Sequence, residues 1–406
     1  MARRRFRLRE TDPSIYLGQV ARFPLSGSVH GVTSRGSRKK EKALKRIGII
    51  GTGQIAQHHL REWSEIDEVE MVSACDLDND ALATTCSTFN IPDPCSDFRE
   101  LLARDDIDAV DVCLHNNLHA PVTIAALQSG KHVYCQKPIA GSYADGKAML
   151  DASAETGKML HIQLARIYEG CTTASKMLID AGELGNIYHA RATEYRRRGR
   201  PYVDGYGTAR FVQKEQAGGG ALYDMGIYEI SRMLYLLGNP RVERIVGRTY
   251  AELEMDEERG REFDVEEFAT GSVFFEGGLT MDIVSAWAIN LNEFSPSYIV
   301  GSQGGLRVDP FSFHKTIADI DFDMNASVDA VMGRRSLMNP QRSQDMSSSQ
   351  LHWAAALHGR VELLSTTELA LNTMLIQQGI YLSSERGAEV TADEVRTASV
   401  STAVDV

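Results

Sequence analysis

Three side chains stand where chemistry is possible. Lys137 follows the apolar run Val133–Cys135 and precedes Pro138, so a short strand ends on a lysine. The carboxyl end of a parallel strand opens onto the ligand crevice of an α/β sheet. Taken alone, Lys137 also reads as a surface lysine before a turn. Asp224 and Tyr228 follow the run Gly218-Gly219-Gly220 and are four residues apart, which puts both on one helix face. The glycines permit close approach of backbone to a ligand or to another part of the chain. A solvated Asp beside a packed Tyr is the plainer reading of that pair.

A second group of residues has the chemistry of phosphate and ribose binding. Arg46-Ile47-Gly48-Ile49-Ile50 reads as a buried parallel strand and runs into Gly51-Thr52-Gly53-Gln54-Ile55-Ala56, a G-x-G-x-x-A turn. Gly51 permits the tight turn and Gly53 leaves room for a pyrophosphate. Ala56 lets helix and strand pack closely, and the helix N-terminus faces the phosphates. A second strand, Glu70–Cys75, ends at Asp76, 23 residues after Gly53. That offset suits an acid that accepts hydrogen bonds from an adenosine ribose. Leu77 and Asp78 follow in place of a base, so a 2′-phosphate would meet uncompensated negative charge, and NAD is expected over NADP.

These residues need a frame that brings them together. A helix is expected over Asp97–Arg104, a strand over Ala109–Leu114, a helix from about Pro121 to Ser129, and then the strand that ends at Lys137. Strands alternating with helices imply a doubly wound parallel sheet. Its ligand-facing end then carries the Gly51 loop, Asp76, His115-Asn116 and Gln136-Lys137, and Asn116, His119, Gln136 and Lys137 are expected beside the cofactor. An ordinary hydrogen-bonding role is the other reading of His119. After a helix over Ser142–Thr156 and a strand over Met159–Leu164, the period changes. Asn186–Tyr195 alternates like a half-exposed strand, and Phe268–Glu276 and Leu279–Trp287 are joined by Gly277-Gly278, a hairpin signal. Ile299–Val308 reads as one further strand. Helices are expected over Cys171–Gly182, up to Leu237, over Ser349–Leu357 and over Ser365–Glu385. The fold class is therefore α/β: an N-terminal Rossmann doubly wound parallel sheet, then a C-terminal α/β domain with a large, open, mostly antiparallel sheet. Expected limits are a basic N-terminal arm at 1–45, the dinucleotide domain at 46–165, a substrate and oligomerisation domain at 166–390, and a tail at 391–406.

Composition narrows the partners. The chain has 406 residues and a net charge of −12, which disfavours nucleic acid as a ligand. No apolar run approaches the roughly 20 residues of a membrane helix. Residues 1–46 hold thirteen Lys/Arg against three acids, without the apolar segment of an export signal. The six cysteines form no C-x-x-C pair, and no metal-ligand spacing occurs. Reduced thiols in a cytoplasmic protein and no metal are expected.

Five stretches in order, Ile49–Ala56, Asn116–Pro121, Val133–Pro138, Gly218–Pro240 and Gly301–Leu306, resemble the glucose–fructose oxidoreductase / inositol dehydrogenase / MocA family. The likeness covers about residues 46–390. It implies an NAD(P)-dependent oxidoreductase acting on a sugar, glycoside or polyol, assembled as a homodimer or homotetramer. The family's Glu-Lys-Pro signature falls on Gln136-Lys137-Pro138, and its Asp-x-Gly-x-His pattern falls on Asp224-Met225-Gly226-Ile227-Tyr228. Gln136 thus replaces a glutamate and Tyr228 replaces a histidine. The tyrosine resembles the glucose–fructose oxidoreductase and dihydrodiol dehydrogenase branch.

The resemblance implies that Lys137, Asp224 and Tyr228 are catalytic. Hydride leaves a carbinol carbon only as its hydroxyl proton is removed, and a nearby ammonium favours the phenolate that could remove it. The neutral Gln136 is expected to leave Lys137 less neutralised and to strengthen that effect. Arg166, Tyr206 and Trp287 are the expected substrate contacts, Trp287 by stacking on a sugar ring or else as a core residue. The basic loop from Tyr195 to Arg210 suits an anionic substituent or a subunit contact. Two other functions stay open. One is an NAD-using glycosidase that oxidises its sugar transiently, and the other is a non-catalytic NAD-binding regulator.

Overall fold

A computed structural model describes residues 44–406. The expected arm, apart from its last two residues, lies outside them. The first half alternates strand and helix: β1 Lys45–Ile50, α1 Gln54–Trp63, β2 Val69–Cys75, α2 Asn79–Phe89, β3 Asp93–Cys95, α3 Phe98–Leu102, β4 Ala109–Val112, α4 Asn116–Gln128, β5 His132–Cys135, α5 Tyr143–Thr156 and β6 Leu160–Ile162. The six strands form one parallel sheet in the order β3-β2-β1-β4-β5-β6. Strand order reverses between β1 and β4, which is where such sheets open a ligand crevice.

The second half contains α6 Gly170–Asp180, β7 Ile187–Tyr195, α7 Lys214–Ala217, α8 Ile227–Leu237, β8 Val242–Tyr250, α9 Glu257–Gly260, β9 Phe268–Phe275, β10 Thr280–Ala286, β11 Tyr298–Gly301, β12 Gly305–Arg307, β13 Ser312–Ile317 and β14 Ile320–Asn325. It closes with α10 Val328–Met338, α11 Pro340–Gln344, α12 Ser349–Leu357, α13 Thr366–Arg386, β15 Val390–Thr391 and α14 Ala392–Ala398. Its nine strands run in the order β14-β13-β12-β11-β7-β10-β9-β8-β15. Every neighbouring pair is antiparallel except β7 with β10. The Gly277-Gly278 hairpin forms as its sequence indicates, both glycines having positive φ.

Three expectations change. Ile299–Val308 is two antiparallel strands, β11 and β12, because the chain turns back between Gly301 and Gly305. The helix expected from Pro121 begins at Asn116, with Pro121 inside it. The segment after residue 390 is structured: Thr391 ends β15 and caps α14 in a capping box with Glu394.

Pro121 has a consequence at a distance. It lacks the N–H that would bond the Asn117 carbonyl one turn back. That carbonyl instead accepts from Val404 N at 3.3 Å. The buried carboxylate of Asp145 completes the docking of this C-terminal strap, accepting from Ser401 Oγ at 2.5 Å and Thr402 N at 2.8 Å. The strap therefore lies against α4 and α5, the helices that precede and follow β5 in the chain.

Two packing features fix α1, and with it the Gly51 loop. Asp111 is fully buried in β4, where an unpaired carboxylate is costly. It accepts from Trp63 Nε1 at 2.7 Å and pairs with His59 Nδ1 at 2.9 Å, both on α1. Burial pushes the His59 imidazole down, but the Asp111 carboxylate outweighs it and the net shift is upward. Tyr134 also packs edge-on against Trp63 and against Trp353 of α12, and Trp63 lies tilted against Trp353, so the parallel sheet shares its core with a helix much further along the chain.

Candidate active site

The Gly51 loop connects β1 to α1. Gly51 has φ of +93°, and an added Cβ would lie 2.3 Å from the Cys113 carbonyl oxygen, so only glycine fits. Gly53 is different. Its φ is −66°, and an added Cβ would meet nothing within 4 Å. Among the described residues no neighbour requires a glycine there; open space at a helix N-terminus does suit a phosphate. Gln54 and Ile55 begin α1 beside that space.

Thr52 turns inward, 3% exposed, and both its N–H and its hydroxyl donate to Asp76 Oδ2, at 2.7 and 2.8 Å. Asp76 Oδ1 accepts from Asp78 N at 2.9 Å. The acid is thereby oriented at the end of β2, with Leu77 beside it 87% exposed.

Asn116 starts α4 and donates from Nδ2 to the Ala217 carbonyl at 2.8 Å, tying the parallel sheet to the loop that precedes Asp224. His119 stands behind the face where a cofactor contact was expected. It is wholly buried, and its ring nitrogens lie 2.8 Å from the Pro138 carbonyl and 3.1 Å from the Leu114 carbonyl. Burial pushes this imidazole down, and the neutral ring has a single N–H, so it donates to one of these two carbonyls and packs its other nitrogen near the second. Gln136 is buried and its Oε1 accepts from Lys137 N at 2.8 Å.

Lys137 meets Asp224 and Tyr228. Its Nζ is 2.9 Å from Asp224 Oδ1, 3.0 Å from the Asp224 carbonyl, and 4.6 Å from the centroid of the Tyr228 ring. Burial pushes the ammonium down, but Asp224 and then Tyr228 outweigh it and its pKa rises. Burial likewise raises the Asp224 carboxyl, while Lys137 and Trp287 pull it below its usual range. Asp224 is thus the carboxylate that pairs with Lys137, beside the neutral Gln136.

Asp224 is carried by a π-helical turn, Leu222–Gly226, that leads into α8. Such turns are uncommon and recur at functional sites. A buried carboxylate holds this one in place. Glu266 accepts from Gly220 N at 2.9 Å, Leu222 N at 2.8 Å and Tyr381 Oη at 2.7 Å. Trp287 is fully buried and donates from Nε1 to Asp224 Oδ2 at 2.8 Å. The expected stacking of Trp287 on a substrate is corrected by this burial: the indole orients Asp224 from behind.

Arg166 is largely occupied by acids, Glu229 at 2.6 Å and Glu194 at 2.7 Å, and its guanidinium carbon lies 5.7 Å from the Tyr228 ring centroid. Tyr206 is exposed, donates to the Gly199 carbonyl at 2.6 Å and takes a bond from Arg196. Glu194, Glu229 and Glu266 were not singled out in the sequence. Glu229 and Arg232, three apart in an otherwise apolar helix, carried a signal of a buried pair; Glu194 carried none. Among the described residues one His/Cys/Asp group lies within metal-ligand spacing: His59, Asp111 and Cys113, buried and hydrogen-bonded to one another.

Residues 45–164 match an oxidoreductase family with an NAD-binding Rossmann fold, and residues 172–307 match the GFO/IDH/MocA C-terminal domain. The chain belongs to the GFO/IDH/MocA oxidoreductase family. Among relatives, D-glucoside 3-dehydrogenase of Escherichia coli (strain K12) is 26% identical over 355 residues, 85% of this chain and 97% of the relative. Inositol 2-dehydrogenase of Salmonella typhimurium is 30% identical over 195 residues, 47% of this chain and 54% of the relative. The fold matches the WlbA dehydrogenase of Bordetella pertussis, solved with NADH and UDP-GlcNAcA, with TM-score 0.69 and 22% identity over 86% of this chain and 98% of the other. It also matches an Agrobacterium radiobacter oxidoreductase solved with NAD+, L-tartaric acid and magnesium, with TM-score 0.69 and 20% identity over 86% and 99%. The family places an NAD-binding Rossmann domain beside the second sheet, and Lys137, Asp224 and Tyr228 lie where the two meet.

Proposed function

We propose that this oxidoreductase transfers hydride between NAD and a carbinol carbon of a sugar, glycoside or polyol, with Tyr228 taking the hydroxyl proton. The observation that carries this reading is Lys137 Nζ, held 2.9 Å from Asp224 and 4.6 Å from the Tyr228 ring at the end of β5. Lys137 steadies the substrate oxygen as its proton leaves. Asp224 fixes the lysine and accepts from a neighbouring hydroxyl, and Arg166 and Tyr206 line the substrate side. Proton transfer by a positioned side chain contributes about 10²–10⁴-fold. A non-catalytic NAD-binding regulator needs no such set.

Gly51, Gly53, Gln54 and Ile55 would hold the pyrophosphate, with Asp76 at the adenosine ribose and Asn116 with Gln136 nearer the reacting end. The open space at Gly53 fits that group. When bound, NAD supplies the hydride-accepting carbon. The acids Asp76 and Asp78 disfavour a 2′-phosphate, and the exposed Leu77 offers an apolar surface to the adenine.

The test is NADH formation by the purified protein across neutral sugars, glycosides and polyols. Accumulating NADH supports the dehydrogenase. Glycoside cleavage without NADH accumulation supports transient oxidation and elimination. The D-glucoside 3-dehydrogenase relative makes glucosides the first substrates to try. We further infer a homodimer or homotetramer, checked by light scattering, and a cytoplasmic location, in keeping with six free cysteines.

A further inference from the structure

Tyr228 is flanked by two cations, and each is anchored by acids. Lys137 is held by Asp224, whereas Arg166 is held by Glu194 and Glu229. We propose that Glu194 is a positioning residue of the hydride-transfer reaction, fixing the Arg166 guanidinium against Tyr228 and so holding the phenol toward the substrate hydroxyl. This rests on the reading of Tyr228 as the proton acceptor.

The two anchors of Arg166 are not equivalent. Glu229 has a side chain 2% exposed and is committed on all sides, to Arg166 at 2.6 Å, Arg232 at 2.5 Å and Ser297 Oγ at 2.7 Å. Arg232 also binds Glu169 at 3.0 Å. Acids and bases therefore alternate from Glu169 through Arg232, Glu229 and Arg166 to Glu194. Three carboxylates face two guanidinium groups, so the fully ionised row holds one negative charge in excess. Guanidinium groups do not release protons, so the row cannot conduct them; it can only hold charge. The excess is tolerated at Glu169, whose side chain is 45% exposed. It is less tolerated at Glu194, whose side chain is 14% exposed.

Glu194 is consequently the member that takes up a proton. Burial raises its carboxyl, Arg166 lowers it, Glu229 raises it, and Arg232 and Arg196 lower it, with a net rise to about 7. These groups face it from the turn after β6, from α8 and from the end of its own strand. Its partner on β10 is the uncharged Ser285, and Glu169 and Asp309 act on its partner Arg166. An ionised Glu194 grips Arg166, and a protonated one leaves Arg166 to Glu229 alone.

The test compares wild type with Glu194→Gln, which mimics the protonated acid, by NADH formation on the neutral sugar or polyol that the wild type turns over best. The ratio of wild-type to variant kcat is expected near one at about pH 6 and about tenfold at about pH 8.5, with KM for NAD unchanged. A ratio within about twofold throughout, or a loss of constant size at every pH, overturns the positioning role.

Thermal unfolding without substrate separates this failure from failure of the functional reading. The folded carboxyl of Glu194 titrates above its ordinary value of 4.5, so its contribution to stability is present below that value and is lost as pH rises through about 7. The Tm of the wild type relative to Glu194→Gln should fall across that window, and absence of the fall overturns the placement of Glu194. A fall in Tm with a wild type that oxidises no sugar or polyol overturns the functional reading and the positioning role with it. A fall in Tm with an active wild type and a flat kcat ratio overturns the positioning role alone.

Discussion

The loop after β5 of the parallel sheet and the turn and helix that carry Asp224 and Tyr228 beside the mixed sheet meet at Lys137, but the two sides are built differently. On the parallel side the backbone shapes the site: a glycine at positive φ, an empty space at Gly53, a helix N-terminus, and Asp76 held by its neighbours' N–H groups. On the mixed side, charged pairs between distant parts of the chain shape it: Lys137 with Asp224, and Arg166 with Glu194 and Glu229. The first half relies mostly on backbone to receive a cofactor common to many enzymes, with Asp76 as its specific side chain. On the proposed reading the second must place a proton acceptor, and buried pairs of opposite charge fix positions at the cost of desolvation.

Changes on the two sides should therefore fail in different ways. The largest effect is expected from Lys137→Met and Tyr228→Phe, each lowering kcat by about 10²–10⁴-fold, with the Tyr228→Phe protein keeping its NAD affinity in a fluorescence titration. Near-wild-type turnover in both variants would remove the proton-transfer role from the mixed side. Next, Gly51→Ala should destabilise by about 3 kcal/mol or more, seen as a large drop in Tm, since its Cβ would strike the Cys113 carbonyl. Gly53→Ala should leave Tm almost unchanged yet weaken NAD binding about tenfold, because only the ligand needs that space. Equal Tm losses at the two glycines would break the distinction between a folding glycine and a binding one. Trp287→Phe should lower kcat by about tenfold through a misplaced Asp224, with KM for NAD unchanged. The smallest effect is expected from Asp76→Ser, a severalfold shift of the NAD to NADP preference in kcat/KM.

The same division explains what the sequence disclosed. The parallel sheet, the Gly51 turn and the offset of Asp76 are local patterns, and Asp224 with Tyr228 could be placed on one helix face by spacing alone. The strand ending at Lys137 was legible because a proline closes it. Trp287 stayed open between a sugar platform and a core residue because aromatic character does not distinguish them; its burial against Asp224 favours the core. His119 stayed open for a similar reason, since the carbonyls beside it lie on other loops and the sequence does not show them. Glu194 and Glu266 had no local signal at all. Their importance comes from the groups they oppose, which lie 28 residues away at Arg166 and 46 away at Gly220. The strand pair β13–β14 and the helix α10 also went unread, being mostly exposed and weakly patterned.

The strap held by Asp145 and by the Asn117 carbonyl bears on the order of folding. Residues 401–404 pack on the helices before and after β5, across a separation of 257 residues between Asp145 and Thr402. A contact that closes so long a loop gains its energy only after the entropy of closure has been met, so it forms late. The parallel sheet can collapse on local contacts first, and the start of α4 beside the Lys137 loop tightens when residues 401–404 dock.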